Sequence, residues 1–310
     1  MRSFRLVPDG THIRFMHYQY WGYAFSATLI LLTLILVPLK GLNFGVDFRG
    51  GLLIEVRVPG TTADLATMRS VLGELGLGEV SLQTFGEPND VLIRVQRQEG
   101  GEEAQRAAVE QVKSALNAAF GDVSYRRVES VGPKVSSELL WSGAQAVIYS
   151  FIAILAYIWF RFEWQYGVGT ILALIHDTVT TIGIYCLFDL EFNLTSIAAL
   201  LTIVGYSLND TVVIFDRVRE NLRKYKTMPL SDLLDRSINE TLARTMMTSL
   251  TTLLALVALV IFGGPVIRGF TIAMIWGVII GTYSTVYIST PVLVHLNLRR
   301  ESAEPAIQTP

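Results

Sequence analysis

The sequence predicts a membrane α-helical protein: six transmembrane helices and one small α+β domain outside the bilayer. Three observations predict it. Of 310 residues, 51% are apolar and 17% charged, against about 25% charge in a typical soluble domain. A hydrocarbon core of about 30 Å takes about 20 apolar residues in helical form. Six stretches qualify, roughly 20–39, 139–160, 166–188, 194–215, 242–262 and 269–292. One long polar segment, 41–138, interrupts them after the first. The chain therefore divides into an N-terminal tail (1–19), a first transmembrane helix (20–40), an outer domain (41–138), a five-helix bundle (139–298) with a basic loop at 217–241, and a C-terminal tail (299–310).

The first span is longer than a usual signal core. Val37, Pro38, Leu39 and Lys40 lead into Gly41 with no small-residue cleavage pattern, so it reads as an uncleaved anchor. Lys and Arg in short loops set orientation. Arg2, Arg5, Arg14, Arg161, Arg217, Arg219, Arg223, Lys224, Lys226, Arg236, Arg299 and Arg300 all fall on one side if there are six spans. The short loops opposite carry Asp189, Glu191 and Arg268. Both termini are therefore expected in the cytoplasm, with the 41–138 domain on the far side.

Within that domain, Gly51–Val58 alternates like a strand and Pro59–Gly60 turns. Thr62–Leu75 has helical spacing, ended by Gly76 and Gly78. Val80–Phe85 and Val91–Arg97 flank a Glu-Pro-Asn-Asp turn and read as a hairpin. Glu102–Phe120 is an amphipathic helix stopped by Gly121, and Asp122–Val131 is a last strand. The order β-α-β-β-α-β is the ferredoxin-like pattern, a superfold that says little about function. The domain has no histidine or cysteine and no nucleophile–base arrangement.

Ionisable groups in the membrane cost about 2.5–3.5 kcal/mol each and are functional candidates by default. His176 and Asp177 lie near the middle of the third span. Asp210 lies about one and a half turns before the end of the fourth, and Asp216 at that end, next to Arg217. Arg244 lies just inside the fifth. Span directions put Asp210 and Arg244 in the same half of the bilayer, close enough to interact directly or through water. Burial favours a neutral carboxyl and a nearby guanidinium a charged one; a carboxylate balanced between the two can load and release a proton. Arginine keeps its charge and acts as a fixed countercharge. Thr241, Thr245, Thr248 and Thr252, with Ser249, line one face of the fifth span, as a wet crevice or as interhelical hydrogen bonds. His176 reads equally well as a satisfied interhelical hydrogen bond, and Asp216–Arg217 as a boundary marker. Gly277-x-x-x-Gly281 reads as a close-packing face, and Gly263–Gly264–Pro265 as a turn.

A net charge of −2 offers no bulk electrostatic case for nucleic acid. The lone Cys186 allows no intramolecular disulfide. No phosphate loop, H-E-x-x-H or G-x-S-x-G occurs, so no cofactor, metal or enzymatic activity is expected. A transmembrane ion gradient is the natural energy source.

Several segments together resemble one family. They are GVDFRGG at Gly45–Gly51 (with Asp47, Phe48, Arg49 and Gly50), ALIHD in the third span, GYSLNDTVVIFDRVREN from Gly205 to Asn221 (with Asn209), LARTMMTS in the fifth span, and FGGPVIRGF after it. They resemble the SecD/SecF family of protein-export membrane proteins, within the resistance-nodulation-division superfamily, and the order holds over nearly the whole chain. The resemblance implies the SecF half of a pseudo-symmetric twelve-span unit, with SecD as partner and the SecYEG translocon, YajC/YidC-type proteins and a translocating preprotein as associates. It implies a cell inner membrane location, a periplasmic outer domain, and use of the proton motive force to assist translocation. It places Asp210 and Arg244 on a proton path that a lone half leaves incomplete, with His176 and Asp177 as further candidates. The DFRGG motif implies a tight turn coupling the first helix to the domain. Two alternatives stay open: a proton-driven small-molecule efflux half-transporter, which the small outer domain disfavours, and a non-transporting scaffold of the translocon.

Overall fold

The structure is a computed structural model that describes residues 8, 11–264, 267–296 and 298. The tail bases Arg2, Arg5, Arg299 and Arg300, and Pro265 of the expected turn, lie outside the described residues.

After a 3₁₀ turn at Phe15–Tyr18, helix α1 (Gln19–Lys40) leads through the short helix α2 (Val46–Arg49) into strand β1 (Gly51–Arg57). Then follow α3 (Leu65–Gly73), β2 (Val80–Phe85), β3 (Glu87–Val95), α4 (Gly101–Phe120) and β4 (Ser124–Val131). The four strands form one antiparallel sheet in the order β2-β3-β1-β4. With the helices between β1 and β2 and between β3 and β4, this is the βαββαβ arrangement expected. Strand alternation sends Leu52, Ile54 and Val56 to one face, where they meet Val91, Ile93, Met68, Leu72, Val112 and Leu116. Each such fully buried aliphatic side chain contributes about 1.5–3 kcal/mol. The opposite face carries Leu53 and Leu92, packed with Val46 of α2, beside Glu55, Arg94 and Arg127, and α3 and α4 lie on the other side. A cleft of about 550 Å³ separates this face from the helix bundle.

Among the described residues that follow, the chain forms α5 (Pro133–Arg161), α6 (Trp164–Leu187), α7 (Leu194–Lys224), α8 (Leu230–Phe262) and α9 (Arg268–Ser284). A π-helical turn at Thr285–Ser289 carries α9 on into α10 (Thr290–His295). Among the described residues, six helices are long and apolar enough to cross a membrane: 15–40, 135–161, 164–187, 194–224, 230–262 and 268–295. The helices α6, α7 and α9 form the buried centre, with α1, α5 and α8 at the rim. Small residues set the α7–α9 contact. A side chain at Gly277 would meet Ile203, and one at Gly281 would come within 3.0 Å of Ser207 Cβ, the close packing read from the sequence.

The 217–241 stretch, expected as a loop, differs. Only Tyr225–Pro229 breaks the chain there; α7 runs on to Lys224 and α8 starts at Leu230. Apolar residues continue on one face of both extensions, with Val218, Leu233, Leu234 and Ile238 buried together. The other face is held by pairs at helical spacing, Arg217–Glu220 at 2.8 Å and Arg236–Glu240 at 2.9 Å. Between the helices, Asn221 Nδ2 donates to Ser237 Oγ and Glu240 Oε2, each at 3.0 Å. Polarity ends the membrane segment there but not the helix.

Candidate functional site

Asp177 is fully buried in α6, and its carboxylate gathers three helices. Its Oδ2 accepts from Ser207 Oγ of α7 at 2.7 Å and from Ser284 Oγ of α9 at 2.8 Å. Its Oδ1 lies 3.0 Å from His176 Nδ1. One turn along, Thr211 and Thr285 face each other at 3.0 Å between their Oγ1 atoms. Thr285 opens the π-helical turn, and Thr290 Oγ1 closes back on the Thr285 carbonyl at 2.8 Å. Single π turns inside α-helices occur often at functional sites. Here the extra residue follows directly after Ser284, at the point where α9 passes Asp177.

Asp210 lies one turn beyond Ser207 on the buried face of α7, a spacing that puts side chains about 5–6 Å apart. Its Oδ2 is buried with no hydrogen-bond partner among the described residues, as are His176 Nε2 and Thr245 Oγ1 on α8. Such orphans are few in folded proteins and call for a reason. Arg244, beside Thr245, is exposed on α8. No ion pair within 4.0 Å joins it to Asp210 among the described residues. Thus Asp177, His176 and Asp210 share one buried region, while Arg244 stands at its edge.

Other motif residues go elsewhere. Gly205 and Asn209, four apart, lie on the exposed face of α7, with open space beside Gly205. Asp216 and Arg217 lie further along α7, past Asp210, Asp216 meeting Arg161 at 3.1 Å. The hydroxyls of α8 divide: Ser249 Oγ reaches Thr282 Oγ1 on α9 at 2.8 Å, whereas Thr248 and Thr252 bond back to their own helix.

The DFRGG segment joins the bundle to the sheet. Gly50 and Gly51 have φ of +72° and +117°, conformations that favour glycine. A Cβ on Gly51 would stand 2.6 Å from the Val95 carbonyl oxygen. Asp47 Oδ2 accepts from the Leu194 amide at 2.9 Å, occupying the N-terminus of α7. Phe48 packs with Phe44 and Phe192. Arg49 is exposed.

Sequence reasoning missed Ser207, Ser284, Thr211 and Thr285. Ser207 stands inside the GYSLND segment, three before Asp210. Ser284 follows Gly281 by three, so it shares the close-packed stripe. Hydroxyls on such stripes are the available signal, and it is a weak one.

A multi-pass membrane protein whose central helices enclose carboxylates, with a small α+β domain at one end, is the class these features define. The chain belongs to the SecD/SecF family: residues 111–299 match the model for the C-terminal part of protein export membrane protein SecD/SecF, and residues 35–58 match the SecD/SecF GG motif. It is 47% identical over 290 residues to the protein translocase subunit SecF of Rickettsia felis, covering 93% of each chain. To that of Rhodobacter capsulatus it is 44% identical over 317 residues, covering 97% of this chain and 95% of the other. Among solved structures, it superposes on SecDF from Thermus thermophilus, a translocon-associated membrane protein, with a TM-score of 0.83 and 37% identity. That match covers 94% of this chain but 39% of the longer SecDF chain. A super-membrane-facing form of SecDF gives a TM-score of 0.70 at 36% identity.

Proposed function

We propose that this chain is the SecF-type partner of SecD in a cell inner membrane, and that proton movement through the pair drives its outer domain to assist preprotein passage on the periplasmic side of the Sec translocon. One observation carries the reading: Asp210 holds a buried carboxylate oxygen without a hydrogen-bond partner among the described residues, one turn from a satisfied carboxylate network, in a chain of an export family. A group fixed for packing would be expected to have its hydrogen bonds made. Asp210 is the proton-loading group and Arg244 its fixed countercharge. The Asp177–His176 pair is the neighbouring station, held by Ser207 and Ser284. Each charge crossing 100 mV supplies about 2.3 kcal/mol, and the rigid links at Asp47, Phe48 and Glu191 pass the motion to the sheet.

The exposed Gly205–Asn209 face of α7 and the exposed Arg244 support the SecD partnership, because both lie where a second six-helix unit completes the path. The same reading includes the SecYEG translocon and YajC/YidC-type proteins as associates. The basic end, with Arg161, Arg217, Arg219 and Arg223, is the cytoplasmic one, and the termini lie there.

The test is a chromosomal Asp210→Asn replacement, with its membrane level checked by immunoblot and an exported preprotein pulse-labelled. Precursor accumulation at an unchanged level is the expected result. Export at the wild-type rate would leave the chain a scaffold, with Asp210 as assembly glue.

A further inference from the structure

At the basic end, two guanidiniums are built against one another. Arg161, on the last turn of α5, and Arg219 of α7 each stand 5.1 Å from the centre of the Phe162 ring. Arg219 Nη1 donates to the Arg161 carbonyl at 3.2 Å. Both turn to a single carboxylate, Asp216, at 3.1 and 3.8 Å. Among the described residues the other acid lining this cleft, Glu220, is engaged by Arg217 at 2.8 Å. Arg223 and Lys224 complete the lining, so four cations face two carboxylates in a space of about 570 Å³. Arg223 has no ion pair among the described residues. Holding like charges together without matching acids is unfavourable unless an anion joins them.

The position of the cleft narrows what that anion is. It opens at the α5–α6 turn, where the apolar run of α5 ends. Trp159, Phe160 and Trp164 around that turn are 70%, 93% and 55% exposed, the placement of an interfacial aromatic belt. Exposed Leu155 and Ile152 continue down α5. A ligand with a charged head at the cleft therefore has an apolar path for its tail. Basic pockets at this depth suit acidic phospholipid headgroups.

We infer that the Arg161–Arg219 cleft is a binding site for an anionic glycerophospholipid, its phosphate between the two guanidiniums and its acyl chains along α5. The inference is independent of proton transport. Occupied, the site ties the emergent end of α7, and with it the helix that carries Asp210, to the bilayer surface.

The test uses native mass spectrometry of the full chain released from micelles doped with phosphatidylglycerol or with phosphatidylcholine. The wild type is expected to retain phosphatidylglycerol about tenfold better. Arg161→Gln with Arg219→Gln should erase that preference, and Asp216→Asn should strengthen it. A purely structural cluster would lose lipid in both variants or in neither. Should the double variant not fold, Arg223→Gln, at an exposed position, should weaken the preference by itself. Equal retention of both lipids, or an unchanged preference in the arginine variants, overturns the proposal. Displacement of the lipid by millimolar inorganic phosphate would overturn it in favour of a free-phosphate site.

Discussion

Arg94, on the face of the outer sheet turned to the bundle, meets Glu191 of the α6–α7 turn at 2.5 Å and also donates to Asn43 Oδ1 at 3.2 Å. The domain is therefore fastened to the bundle by this pair as well as by its two covalent links, DFRGG after α1 and Gly132 between β4 and α5. Around it, the Gly45 amide donates to the Phe192 carbonyl at 2.9 Å, and the Phe192 amide to the Asn43 carbonyl at 2.8 Å. The segment after α1 thus runs beside the turn before α7, so a shift of α7 along its axis is felt directly at the base of the sheet.

The Arg94–Glu191 pair is mostly shielded, with about a fifth of each side chain exposed. A double-mutant cycle with Arg94→Gln and Glu191→Gln is expected to return a coupling of about 1 kcal/mol, read as stability against denaturant. The amides of 42–50 should exchange faster in either single variant. A coupling near zero would make the pair a surface contact without mechanical weight.

Gly51→Ala should damage the domain more than an alanine at a looser glycine. Gly51 combines a positive φ with a carbonyl oxygen 2.6 Å from the would-be Cβ, whereas Gly121 has φ of +80° and nothing within 4 Å. Strain alone costs about 1 kcal/mol, and displacement of the Val95 backbone raises the cost at Gly51 to about 3 kcal/mol. Thermal unfolding of the two variants checks the order.

The outer domain should weaken in acid through Asp90. This side chain is 2% exposed and bound by Arg57 at 2.6 and 2.7 Å and by Arg126 at 3.1 Å. The Arg57 hydrogen bonds, then the Arg126 charge, hold its carboxyl below the ordinary range against the opposing effect of burial. A depressed value means the stabilisation is complete above the unfolded value of about 4 and fades as pH falls through the folded one. Asp90→Asn should therefore cost about 2 kcal/mol at neutral pH and progressively less below about pH 4. Exchange of the β1–β3 amides measured across pH checks this; a gap that stays constant into acid refutes the assignment.

Hydropathy located all six spans and strand alternation the sheet, because both patterns follow from which face meets water. The same reasoning ended the fourth span near Phe215, since a bilayer boundary is marked by charge. The helix itself continues to Lys224 because Val218 and Asn221 pack against α8, and that contact has no signature in hydropathy. The site was half legible. Asp210 and Asp177 stand out as carboxylates among apolar residues, whereas the partners that distinguish them, Ser207 and Ser284, are ordinary small residues in a membrane helix. The π turn depends on the extra residue after Ser284, for which periodicity carries no mark. Arg94 and Glu191 are 97 positions apart, joined only by tertiary structure.

Asp177 separates a packing role from a working one. Removing its carboxylate with Asp177→Ala strands the Ser207 hydroxyl in the bundle centre, at about 1–3 kcal/mol for an unsatisfied group, and leaves Ser284 Oγ with the Gly281 carbonyl at 3.1 Å, so the protein level should fall. Asp177→Asn keeps one oxygen for those hydroxyls and offers an amide to His176 Nδ1, so the helices still meet and the level should stay near normal. Ser284→Ala removes one donor at about 1 kcal/mol, the scale of interhelical hydrogen bonds in membranes. If Asp177 serves only to hold α6, α7 and α9 together, export should follow protein level through the series, with Asp177→Asn close to wild type. As a neighbouring station to Asp210, Asp177 must be able to change its charge, which asparagine cannot do. Asp177→Asn is then expected to reach a normal membrane level and still slow the conversion of a pulse-labelled precursor, while Ser284→Ala lowers both modestly and together.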